Sequence, residues 1–274
     1  MNFSQARQQF HQETHQSNQQ IDLAKAALYM AQEQFPDLDP EEYLKALDEM
    51  AAEVLERLDE ERYPLRVIQT INQYLFDDLE FVGNESNYYD PNNSYLNQVI
   101  DRRTGIPITL SVVYLEIAKR INFPMVGIGM PGHFLIRPDF EDVGIYVDVF
   151  NRGEILFPED CEAKLAEVYA HRVKLRPQFL SPVTSRQILA RMLTNLKVIY
   201  MNAGEILKAV SAIERILLIF PEAPNEQRDR GILYYQLERW TEARQDLENY
   251  LKNQPQAQDA MIIRQLLDRM NSNR

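Results

Sequence analysis

The chain is poor in the residues that build the most easily read sites. It holds 1 Cys, 4 His, 1 Trp and 9 Gly in 274 residues. A single thiol, Cys161, excludes an internal disulfide framework and a cysteine-based zinc site. Scarce glycine argues against glycine-rich phosphate loops. Cations are short as well, with 29 Lys and Arg against 41 Asp and Glu, a formal charge of −12. Phosphate backbones and anionic lipid both need clustered cations, so a nucleic-acid binder or a membrane-surface protein is disfavoured. The excess acid reads as solubility. No apolar run reaches the roughly 18 residues that a membrane span needs. The polar, glutamine-rich start carries no apolar signal-peptide core. The expectation is a cytoplasmic protein with no membrane and no nucleic-acid partner.

What is abundant is apolar surface. At 45% hydrophobic residues the chain can fill the core of one large domain or two ordinary ones. Residues 1–20 read as a weakly amphipathic helix or arm that can dock through Phe3 and Phe10. Ile21 to Phe35 has helical spacing and stops at Pro36. Asp39-Pro40-Glu41-Glu42 is a strong helix start, with a cap, a proline at the first position and acids on the dipole. A further helix begins near Tyr63-Pro64. Pro107 opens one whose apolar residues (Leu110, Val112, Val113, Leu115, Ile117) surround the axis, which predicts burial on most sides. Met125–Met130, Phe134–Arg137 and Ile145–Val149 read as strands, with Phe140-Glu141-Asp142 at a hairpin tip and Ile155-Leu156-Phe157 a short extra strand.

The C-terminal part repeats with a 34-residue offset. Tyr200 matches Tyr234, Ala209 matches Ala243, Ile213 matches Leu247 and Pro221 matches Pro255. The second copy, through Trp240 and Tyr250, resembles the tetratricopeptide helix-turn-helix pattern. Such arrays present a groove to peptides or helices, so a protein or peptide is the expected partner. Arg228, Arg230 and Arg239 stand out as exposed candidates for contact.

A second resemblance rests on several short motifs. They are Tyr95-Leu96-Asn97-Gln98-Val99, Arg103-Thr104-Gly105-Ile106-Pro107-Ile108-Thr109-Leu110, Tyr114, Pro131-Gly132-His133-Phe134-Leu135-Ile136-Arg137 and Asp148-Val149-Phe150-Asn151. Together they resemble the second core type of the transglutaminase-like superfamily. The match is to bacterial SirB-one-type proteins, where that core is followed by tetratricopeptide repeats; a related module occurs in a eukaryotic F-box protein. The resemblance implies an α+β, mostly helical fold. A helical segment would cover residues 1–82, and a papain/transglutaminase-like core with a small antiparallel sheet residues 83–180. Tetratricopeptide helices would follow over residues 185–274.

The resemblance also implies a site. In that superfamily a Cys at the start of the core helix is the nucleophile, a His on the next strand is its base, and an Asp on the strand after orients the His. His133 and Asp148 take the last two roles. The Cys position falls within Pro107–Thr109, where no Cys stands. Thr109 offers a hydroxyl there and Ser111 another half a turn on, but a hydroxyl is far less acidic than a thiol. Arg137, Asn151 and Ser111 are read as lining the same cleft. Cys161 has three acidic neighbours, which disfavour a thiolate. His11 and His15 have a spacing that can share a metal ion, yet no third ligand is evident. The expectation is no metal and no cofactor. Two functions follow: a non-catalytic interaction or scaffold protein on a degenerate core, or an amide hydrolase or acyl transferase using His133, Asp148 and a hydroxyl.

Overall fold

Helix starts fall where the capping chemistry puts them. The computed structural model describes residues 4–59, 62–140, 144–169 and 173–272. The first helix, α1 (Gln5–Thr14), is capped by Ser4 and buries Phe10 completely. Phe3, and Glu141 and Asp142 of the expected hairpin tip, lie outside the described residues. Asp22 caps α2 (Leu23–Gln32) through the Lys25 N–H at 3.0 Å, and Asp39 caps α3 (Pro40–Glu56) through the Glu41 N–H at 3.0 Å. Then comes α4 (Pro64–Asn72). Its end widens into a π-helical turn, Gln73–Asp78, in which three successive residues are buried: Tyr74, Leu75 and Phe76.

The chain divides into two compact units, Met1–Met192 and Leu193–Arg274. The first contains the helices above and the sheet. A two-residue parallel pair, β1 (Val82–Gly83) with β2 (Thr104–Gly105), brackets α5 (Leu96–Arg102). Then α6 (Pro107–Arg120) runs through the core, with every residue from Ile108 to Ala118 buried. Each buried Leu, Ile or Val there contributes roughly 1.5–3 kcal/mol. That exceeds what any surface pair on the helix supplies, so burial places α6.

Five strands form an antiparallel sheet in the order β6-β5-β4-β3-β7. They are β3 (Met125–Ile128), β4 (Leu135–Pro138), β5 (Tyr146–Asp148), β6 (Glu154–Leu156) and β7 (Pro182–Val183). Between β6 and β7 lies α7 (Pro158–Val168). The turn from β5 to β6 is tied to α4. Gly153 sits at φ +73°, its carbonyl accepts from Asn72 Nδ2 at 2.8 Å, and a Cβ there would collide with the Asn72 carboxamide.

The unit boundary falls inside α8 (Ser185–Asn202). The second unit continues with α9 (Ile206–Ile219), α10 (Pro224–Gln236), α11 (Trp240–Asn253) and α12 (Ala260–Ser272). The 34-residue offset reappears in the backbone. Gly204 and Glu238, 34 apart, are both left-handed, at φ +71° and +58°. Each closes its helix pair in the same way. Glu205 N–H donates to Tyr200 O, and Arg239 N–H donates to Tyr234 O, both at 2.9 Å. Gly231 lets α10 approach α11, since a Cβ there would meet Leu247 at 2.8 Å.

Two substitutions test this framework. Gly153→Ala adds left-handed strain and a collision, and should cost roughly 2–4 kcal/mol in urea unfolding. Glu238→Gly relieves the left-handed strain that Gly204 avoids in the sister turn, and should stabilise by about 1 kcal/mol in the same assay.

Candidate functional site

The start of α6 is held by hydrogen bonds that use up the Thr109 hydroxyl. Thr109 stands at the third helical position and is fully buried. Its Oγ1 accepts from the Ile106 N–H at 3.2 Å and donates to Asn93 O at 2.6 Å. Asn93 is itself fully buried, with Nδ2 donating to Asn87 O at 2.8 Å and Oδ1 accepting from Asn84 Nδ2 at 3.1 Å. Thr109 therefore fastens the 84–93 loop to the helix start. Ser111 is also fully buried, and its Oγ has no hydrogen-bond partner among the described residues.

His133 follows a tight turn. Its N–H donates to Met130 O at 3.0 Å, and Gly132 supplies the positive φ of +78° that the turn requires. A Cβ on Gly132 would press on Val168 at 2.8 Å, so this turn lies directly against α7. The His133 ring is half-buried, and its Nε2 is enclosed without a partner among the described residues. Burial lowers its pKa from the ordinary 6.5, against the nearby Asp148 charge, which raises it; the Lys164 charge lowers it further, while a hydrogen bond with the Lys164 backbone raises it.

Asp148 ends β5 and is 2% exposed. Its oxygens are committed elsewhere than His133. Oδ1 accepts from the Asn151 N–H at 3.3 Å, while Oδ2 accepts from Asn151 Nδ2 at 2.8 Å and pairs with Lys164 Nζ at 3.1 Å. Asn151 thus lies on Asp148, as a cap of the turn. Lys164 of α7 also reaches Glu154 at 3.0 Å. Arg137 donates from Nη1 to Pro138 O at 2.7 Å, next in the chain, and sits near Tyr146.

The structure brings His133 and Asp148 within electrostatic reach of each other but places no hydrogen bond between them. It does not join Thr109 to either. Lys164 and Arg191 are the neighbours that sequence reasoning missed. Lys164 stands three residues after Cys161, in an acidic helix start whose cation has no spacing signature. Arg191 Nη2 donates to His133 O at 2.9 Å from α8.

Cys161 is fully buried among Ile128, Met130, Leu135, Tyr146 and Leu156. Burial and then the Asp160 charge push its thiol up to about 11. His11 and His15 stack at 3.8 Å, and among the described residues no group of three or more His, Cys, Asp or Glu is placed to hold a metal ion. The three repeat arginines singled out for contact are tied inside their unit: Arg228 to Asp229 and Asp259, Arg230 to Asp246, Arg239 to Glu242. Arg228 and Arg230 are half-buried rather than exposed. Among the described residues, no helix is long and apolar enough to cross a membrane.

Comparison with known proteins decides the family. Residues 41–194 match the model of the transglutaminase-like superfamily. The chain belongs to that superfamily. Residues 196–268 match the tetratricopeptide repeat. A UPF0162 protein of Xylella fastidiosa (strain 9a5c) is 36% identical over 248 residues, covering 89% of this chain and 88% of that one. A UPF0162 protein of Pseudomonas aeruginosa is 29% identical over 229 residues, 84% of this chain and 83% of that one. F-box only protein 21 of Homo sapiens is 30% identical over 191 residues, 65% of this chain but 29% of that protein. No solved structure matches. The superfamily match begins at residue 41, so it takes in α3 and α4 with the sheet.

Two measurements follow. Cys161 should resist iodoacetamide in the native protein near neutral pH and react once urea exposes it, as mass spectrometry would show. His133 should titrate by NMR with a midpoint below 6.5. Because its folded pKa is the lower one, the unfolded chain takes up the proton first. Stability should therefore fall as pH drops through 6.5, and His133→Asn should lessen that fall.

Proposed function

We propose that the chain is a protein-interaction or scaffold protein of the cytoplasm, with a non-catalytic transglutaminase-like core and tetratricopeptide repeats that hold a protein or peptide. The observation that carries this reading is the state of Thr109. The hydroxyl at the nucleophile's position is fully buried and donates to Asn93 O at 2.6 Å. A nucleophile must instead be open to substrate and bonded to its base. The other parts agree. Asp148 is taken by Asn151 and Lys164, and the thiol is buried in the core. The His133–Asp148 pair then acts as part of the framework under the 148–153 turn.

The repeats supply the partner surface in this reading. Tetratricopeptide repeats generally bind proteins. Leu207, Met261 and Ile262 are 68%, 70% and 65% exposed, more than any large aliphatic or phenylalanine side chain among the described residues of the first unit. The single buried thiol and the acidic composition fit a reducing compartment.

A hydrolase probe that labels activated hydroxyls tests the core. We expect no labelling of the full chain; labelling that His133→Ala abolishes would establish the amide hydrolase or acyl transferase instead. Affinity capture with the full chain tests the repeats. Leu207→Glu and Met261→Glu should lose the captured partner while the fold, by circular dichroism, is kept.

A further inference from the structure

Several arginines of this protein that leave open solvent meet an acid, while others meet only neutral acceptors among the described residues, Arg137 the Pro138 carbonyl and Arg186 two backbone carbonyls with Asn18. Arg7 pairs with Glu33 at 2.6 Å, Arg120 with Asp48 at 2.7 Å, Arg228 with Asp229 at 2.7 Å and Arg230 with Asp246 at 2.7 Å. Arg191 is half-buried and has no carboxylate partner among the described residues. Its one hydrogen bond among the described residues, from Nη2 to the His133 carbonyl at 2.9 Å, uses one of five N–H donors. Burial lowers its pKa, and only the phenols of Tyr88 and Tyr169 oppose that. A desolvated guanidinium without an anion is costly, and a bound anion recovers that cost.

Its surroundings limit what the anion is. The guanidinium lies over the Phe134 ring, 5.6 Å from the centroid. Tyr88 packs edge-on against Phe150 at 6.1 Å and Tyr89 at 5.4 Å, and remains 40% exposed. Tyr169 and Val168 at the end of α7 are exposed as well. Exposed aromatic surface beside the cation suits an apolar body. The charge suits a single negative one. Lys164, another cation among the described residues, is already satisfied by Asp148 and Glu154. One guanidinium balances the single charge of a carboxylate, whose two oxygens take parallel N–H donors, and leaves a phosphate dianion half-neutralised.

We propose that Arg191 is the anchor of a binding site for a carboxylate borne on an aromatic or apolar group, with Tyr88 and Tyr169 beside it. The carboxylate is either the C-terminus of a peptide or a free small acid. The site lies in the first unit and does not depend on the partner role of the repeats. It stands whether the core is catalytic or not.

Calorimetric titration of the full chain tests it, with N-acetyl-phenylalanine, the tripeptide Gly-Gly-Phe, the C-terminal amide of each, and inorganic phosphate. Each acid should bind at least roughly tenfold more tightly than its amide. A tripeptide acid that binds more tightly than N-acetyl-phenylalanine assigns the site to peptide ends; equal binding assigns it to a free acid. Arg191→Gln should remove the preference for acid over amide. Should that variant unfold on thermal scanning, the comparison of acid with amide on the native chain decides alone. Equal binding of acid and amide, no binding of either acid at about 10 mM, phosphate binding as tightly as the acids, or a folded Arg191→Gln that keeps the preference would each overturn the proposal.

Discussion

The Asn72 carboxamide holds the first unit together at the point where its parts would otherwise separate. Its Nδ2 takes the Gly153 carbonyl at 2.8 Å, and its Oδ1 lies 3.1 Å from the Tyr114 hydroxyl. Tyr114 is fully buried in α6, and its hydroxyl is also 3.2 Å from Ile68 O. One side chain at the end of α4 thus ties the core helix to the turn that leaves Asp148. The turn in turn sets Asn151 and the carboxylate, and the carboxylate sets Lys164 of α7. A half-buried amide with both ends satisfied favours one arrangement, because a shift leaves the buried Tyr114 hydroxyl and the Gly153 carbonyl short of a partner.

That dependence explains which parts of the protein could be read from its residues. The all-round apolar pattern of Leu110, Val112, Val113 and Ile117 follows directly from burial, and α6 is where it should be. Strands β3 to β6 fall within two residues of the runs that alternate or carry β-branched side chains. The tetratricopeptide segment is legible because the repeat spacing is a property of the chain itself. The two-residue β7, Pro182–Val183, is too short to alternate and left no pattern. Nor did the π-helical turn, whose hydrogen bonds differ from those of an α-helix while its residues do not.

The candidate site was legible in its members and not in its bonds. His133 and Asp148 do lie near one another, close enough for the Asp148 charge to oppose the burial that lowers the His133 pKa. What no spacing revealed is that Asp148 has nearer partners. Lys164 is 16 positions away, and its approach depends on how α7 returns over β5 and β6. Arg191 is 58 positions from His133 and meets it through a backbone carbonyl. Contacts to backbone carry no residue-type signature, so the sequence holds no trace of them.

The π-helical turn at Gln73–Asp78 has one more consequence. An α-helix advances about 100° per residue, and a π-helical turn closes its hydrogen bond over one residue more. Tyr74, Leu75 and Phe76 are all buried within the wider turn. The segment therefore counts its residues. Removing one would restore ordinary helical winding and swing everything after it, up to β1, by about 100°. Substitution is tolerated there within the limits of volume and polarity, but a change in length is not, and this stretch should keep a constant number of residues wherever the fold occurs.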